Sequence, residues 1–164
     1  MQNDPALLLA VQRLCALEPP DWKALEQLGP ELGTAAMAPL LDGLAAAETR
    51  AMRRGFLSVL VRLGPRVAPL VGERLAHEAP WYVTRNLLTL LDELHQAPPT
   101  PVLERLTAHA DPRVRIAALK IELKLPARRE RAIRVALDDP DERVVRIGHA
   151  ATHGGTSAGQ RPTK

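Results

Sequence analysis

Leucines recur along this chain at one fixed period. Leu32, Leu63, Leu94 and Leu125 are each 31 residues apart, and so are Leu44, Leu75, Leu106 and Leu137. Leu40, Val71, Val102 and Ile133 lie four residues before the second series, one helical turn away. Two unbroken apolar series with one period are the mark of a repeated helical unit. Each unit divides into two helices: first members at 35–47, 66–78, 100–109 and 128–138, second members at 49–63, 81–96, 112–124 and 141–153. No stretch shows the alternation of a strand.

The boundaries carry capping chemistry. Thr100-Pro101, Asp111-Pro112 and Asp139-Pro140 each place a side-chain acceptor before a proline, the pattern of a helix start. Gly29, Gly33 and Gly64 suit helix ends. Ahead of the repeats, Leu7, Leu8, Val11, Leu14 and Leu17 form one amphipathic helix, and Asp21 caps a second that carries Trp22, Leu25 and Leu28. The expected organisation is a single domain over 1–153, with a degenerate N-terminal cap pair in 1–32, four helix pairs in 35–153 and a disordered tail at 154–164.

Composition narrows the chemistry. With 46% hydrophobic and only 2% aromatic residues, the core must be built from Leu, Val and Ala. A lone Cys15 can form no internal disulfide, which points to a reducing compartment and a cytoplasmic setting. No uninterrupted apolar stretch approaches the ~18 residues of a membrane span. The net charge of +3 is small but uneven. Residues 1–32 hold two basic and five acidic side chains, and residues 113–134 hold eight basic and two acidic.

Asp111-Pro112-Arg113-Val114-Arg115-Ile116-Ala117-Ala118-Leu119 resembles the start of the second helix of a HEAT repeat, an Asp-Pro-x-Val-Arg-x-x-Ala pattern. Asp139 to Arg146 is a longer variant, and Trp81 to Asn86 looks like the same position in bacterial HEAT-like proteins. The resemblance covers about residues 35–153. It implies an all-α, right-handed α-solenoid of antiparallel helix pairs whose second helices line the concave face. It also implies a ladder between repeats of turn Asp and second-helix Arg: Asp111, Arg115, Asp139 and Arg146, with Arg54 and Arg85 by position. Families of this fold include scaffolds, phycobilin lyase subunits and alkylpurine DNA glycosylases, so the resemblance does not choose a function.

The residues favour a protein-interaction scaffold. Tyr82, Arg85, Asn86, Arg113 and Lys120 are the expected contact surface, since Tyr and Arg are frequent interface anchors. The basic run Arg113, Arg115, Lys120, Lys124, Arg128, Arg129, Arg131 and Arg134 reads first as a solvated face and second as a site for an anionic partner: an acidic protein, or less favourably nucleic-acid phosphate. Catalytic motifs are absent; Asp92 or Glu93 could serve a glycosylase only if brought beside Trp81 and Tyr82. His149 and His153 share a helix face but lack a third ligand, so neither metal nor cofactor is expected. Apolar positions in the last helix, Val144, Val145 and Ile147, suggest that the C-terminal end meets further repeats, a second copy of the chain or another partner.

Overall fold

The computed structural model describes residues 3–154, which are helical with no strand among them. The chain divides into two compact units, Met1–Pro98 and Pro99–Lys164. The tail expected from 154 begins at the last residue of the final helix, and the rest of it lies outside the described residues.

The first unit contains α1 (Pro5–Cys15), α2 (Trp22–Leu28), α3 (Thr34–Ala46), α4 (Arg50–Leu63), α5 (Ala68–Leu75) and α6 (Trp81–Glu93), with 3-10 turns at Gly29–Glu31 and Gly64–Val67. Its packing runs in two rows: α1 on α3 and α3 on α5, then α2 on α4 and α4 on α6. The periodic leucines explain why. Leu32, Leu40, Leu44, Leu63, Val71, Leu75 and Leu94 are all buried, so each helix turns the same side to its neighbours. At about 25 cal/mol per Å² of apolar surface removed from water, such a shared core is the main source of stability.

Helix starts follow the capping side chains where these can reach a free N–H. The carboxylates of Asp4 and Asp21 accept from the amides of Ala6 and Ala24, and the Thr49 hydroxyl accepts from Met52. Gly64, at φ +74°, ends α4 in a conformation that side chains disfavour. This break also divides the stretch Arg50–Leu75, the one segment of the described residues long and apolar enough on average to cross a membrane. Arg66 then donates to the carbonyls of Gly29, Leu32 and Leu63, satisfying acceptors that the helix ends leave over.

Two glycines of this unit make room for rings. Trp22 meets Phe56 edge-on, with centroids 4.9 Å apart. A Cβ on Gly55 would clash with the Trp22 ring, and one on Gly43 with the Phe56 ring. Phe56 itself is buried.

The second unit contains α7 (Thr100–Thr107), α8 (Pro112–Glu122), α9 (Arg129–Leu137) and α10 (Glu142–Gly154). Leu119, Ala132, Ala136 and Val144 form its centre, with Ile116, Leu123 and Val135 packed around them. Leu106 is buried as the 31-residue series requires, but apart from it the series fails here. Leu137 is 37% exposed and Leu125, Val102 and Ile133 are only half-buried. The reason is small-residue packing: a Cβ on Gly148 would lie 3.1 Å from that of Ala136, so α9 and α10 approach through alanine and glycine. The Leu137 side chain also lies against Gly148, at the edge of this contact, and so stays partly exposed. On α10, Val144 is fully buried, whereas Val145 and Ile147 are half-buried.

The helix starts of this unit also correct two expectations. Thr100 is the first residue of α7 and caps nothing; Pro99 precedes it. Asp139 does not cap α10 either. Asp141 takes that place, accepting from the amide of Arg143 at 2.9 Å, as Asp111 accepts from Arg113 at 2.9 Å.

Candidate functional site

Counting from each cap shows what the arginines do. Arg53 stands four residues after Thr49, and Arg115 four after Asp111. Both reach back to the two loop carbonyls before their own helix: Arg53 to Ala47 and Glu48, Arg115 to His109 and Ala110. These two are equivalents, 62 residues or two periods apart. Arg54, Arg85 and Arg146 stand five after Thr49, Pro80 and Asp141. They form a different series from Arg53 and Arg115, which is why Arg54, Arg85, Arg115 and Arg146 are spaced by 31, 30 and 31 residues.

Within the second unit the expected ladder forms one rung. Arg115 clasps Asp139 with bonds of 2.7 and 2.8 Å, and both side chains are largely buried. Burial works against the charged Asp139 carboxylate, but the hydrogen bonds from Arg115 and from the Asp141 amide outweigh it and hold its pKa below the ordinary value. Hydrogen bonding to Asp139 raises Arg115 in turn. Asp111 bonds to its own Arg113, and Arg146 pairs with Glu142 in solvent. Neither extends the ladder, because the cap shifts from Asp139 to Asp141 and turns Arg146 outward.

Most of the basic run is also engaged within the second unit. Glu122 is fully buried and receives Arg128 at 2.9 Å and Arg131 at 2.6 Å. Arg128 reaches Glu104 as well, at 2.7 Å. Arg129 donates to the carbonyls of Leu123 and Ala151. A buried carboxylate needs such partners, since an unpaired one would be too costly to desolvate. Half of the solvated face expected at 113–134 is thus a set of internal ties; Arg113, Lys120, Lys124 and Arg134 are its exposed members.

In the first unit several arginines gather in one groove. A groove of about 680 Å³ between α4 and α6 is lined by Arg50, Arg53, Arg54, Arg62 and Arg85, with Glu93 as its one carboxylate. Leu57, Val61, Ser58, Thr89 and Asn86 complete it. On α4 the lining positions recur at three- and four-residue steps, so one helical face supplies them. Arg62 has a loose partner in Glu26 at 3.4 Å. Arg50 and Arg54 are exposed and make no hydrogen bond or ion pair among the described residues.

Three of these arginines stand in the first turns of α4, where no acidic residue accompanies them. The N-terminus of a helix carries partial positive charge, so cations there are disfavoured by ~0.3–1 kcal/mol each. Arg53 is compensated by its bonds to the Ala47 and Glu48 carbonyls, whereas Arg50 and Arg54 have no such local compensation among the described residues.

Of the five expected contact residues, Arg85 and Asn86 lie in this groove. Arg85 donates to the Asn86 Oδ1 at 3.0 Å and holds its guanidinium 5.2 Å from the centre of the Trp81 ring. Tyr82 is 44% exposed and meets Trp81 edge-on. Arg113 and Lys120 belong to α8 in the second unit, where Arg113 is engaged by Asp111. Sequence reading missed Arg50, Arg53 and Arg62 as groove residues; their clustering at the ends of α4 was the available signal.

Of the carboxylates considered for catalysis, Glu93 lines the groove, while Trp81 and Tyr82 are not among its lining. Cys15 is half-buried, and burial, aided by the charge of Asp42, pushes its thiol up to about 11, far from a thiolate nucleophile at neutral pH. Among the described residues no three His, Cys, Asp or Glu side chains gather as a metal set. Comparison of the chain with protein-family models, with curated proteins and with solved structures finds no match.

Proposed function

We propose that this chain is a HEAT-like α-solenoid that acts as an interaction scaffold in the cytoplasm and binds an acidic segment of a protein partner along the α4/α6 groove. The observation that carries this reading is five arginines against one carboxylate in a single groove. Arg50 to Arg62 span about 18 Å at 1.5 Å per residue, room for about five or six residues of extended peptide. Leu57 and Val61 between the guanidinium groups suit a segment that alternates acidic and apolar side chains. Guanidinium forks bind carboxylates through paired hydrogen bonds.

Nucleic acid is the second reading, favoured by the same arginines. It fits less well. The engaged part of the basic run leaves less further positive surface for the several phosphates that duplex binding neutralises. Self-association or docking of further repeats at the C-terminal end also stays part of the proposal, on the partial exposure of Leu137, Val145 and Ile147.

The test is fluorescence anisotropy of the full chain with labelled ten-residue peptides rich in Glu, Asp and Leu, beside a duplex and a single strand of DNA, at 0.15 M salt. Saturable peptide binding that weakens when Arg54 becomes Gln supports the scaffold reading. Binding of DNA alone replaces it with the second.

A further inference from the structure

The floor of the groove holds a feature that an acidic segment alone leaves unexplained. Asn86 is 5% exposed, and its Nδ2 has no hydrogen-bond partner. The amide orientation is fixed, because Oδ1 accepts from Arg85 and a reversed amide would set donor against donor. A buried donor left unmade is unfavourable, and native structures satisfy nearly all such groups. An acceptor oxygen brought by a ligand would satisfy it.

The surrounding groups define that acceptor. Arg50 and Arg54 contribute guanidinium groups without partners among the described residues, at the end of α4 where the helix dipole adds positive charge. Ser58 offers a hydroxyl in the same groove. One carboxylate has a single negative charge and two oxygens, fewer than this set of donors can hold. A phosphoryl group has close to two charges at neutral pH and three terminal oxygens. We propose that the groove is a receptor for a phosphorylated serine or threonine in the partner's acidic segment, with Arg50 and Arg54 neutralising the phosphoryl oxygens and Asn86 Nδ2 donating to one of them. Arg85 acts as a positioning residue: it fixes the Asn86 amide while Trp81 covers its own ring-facing side. This proposal rests on the acidic-segment reading and adds to it the class of the central group.

The experiment uses the full chain and oriented libraries of ten-residue acidic peptides with random flanking positions. The central residue is phosphoserine in one library, Glu in the second and Ser in the third. The phosphoserine library is expected to bind at least about tenfold more tightly than the Glu library. Asn86→Asp keeps an acceptor for Arg85 but removes the donor, and is expected to erase that preference. Arg54→Gln, at an exposed position, should weaken phosphopeptide binding about tenfold with an unchanged unfolding midpoint, and it tests the site independently if the Asn86 variant fails to fold. Equal binding of the phosphoserine and Glu libraries overturns the phosphoryl site while leaving the acidic-segment reading in place. No binding of any library overturns both. Tighter binding of duplex DNA than of any peptide overturns the protein source of the phosphate.

Discussion

Arg115 holds both carboxylate oxygens of Asp139 across 24 residues of sequence, and with its remaining nitrogen bonds the carbonyls of His109 and Ala110. One side chain thus joins the loop before α8 to the loop before α10. Removing either partner leaves the other buried and unpaired, so Arg115→Ala or Asp139→Ala should each cost about 3 kcal/mol. Replacing both should cost less than the sum of the two, measurable by urea unfolding in a double-mutant cycle. Strict additivity would show that the pair does not couple.

The same loops set an acid limit. Hydrogen bonds from Arg113 and Arg143 hold the carboxyls of Asp111 and Asp141 at about 2, against an ordinary 3.8, and Asp139 is lowered as well. A carboxyl with a depressed folded pKa binds protons more readily when unfolded. Its stabilising contribution is therefore full above about pH 4 and is lost as the pH falls towards 2. Urea unfolding between pH 5 and pH 2 should show falling stability, with a shallower fall in Asp141→Asn.

Glu122 predicts a contrast between charge and shape. Glu122→Gln keeps the volume but loses the charged bonds to Arg128 and Arg131, and should destabilise by about 2–3 kcal/mol. A variant with Glu122→Met and Arg131→Met together should recover part of that loss, since an apolar pair needs no desolvation of charge. Thermal unfolding of the three proteins checks the order.

Gly55 and Gly43 should resist even alanine. Elsewhere in a helix, Gly→Ala stabilises by about 1 kcal/mol. Here the added methyl group meets the Trp22 or Phe56 ring, and overpacking of about 1–3 kcal/mol should reverse the sign. Trp22→Leu should relieve Gly55→Ala but not Gly43→Ala.

These tests also mark what the sequence made legible. Leucine periodicity placed the helices of the first unit within a few residues, because apolar burial there follows one register from Leu32 to Leu94. It misled at α9, where Ala132 and Ala136 form the contact; alanines carry too weak a periodic signal to compete with Ile133 and Leu137. The buried Glu122 looked like a surface residue in a basic run, since its partners Arg128 and Arg131 are joined to it only by the turn between α8 and α9. In the groove, Arg85 and Asn86 stood out through the neighbouring aromatics. Arg50 and Arg62 recur at no repeat position, and only the pairing of α4 with α6 brings them to the same cleft.

Arg50 and Arg54, the two arginines at the start of α4 that are unpaired among the described residues, are proposed to serve a ligand rather than the fold. Arg50→Glu combined with Arg54→Glu separates the two roles. Acidic side chains near a helix N-terminus are favourable by about 0.3–1 kcal/mol, so the unfolding midpoint should hold or rise. Binding of the acidic peptides, measured on the same sample by anisotropy, should fall at least about tenfold, as reversal of two contacts in a charged groove requires. Peptide binding that survives the double reversal, or a variant that unfolds earlier than the parent, would contradict the account.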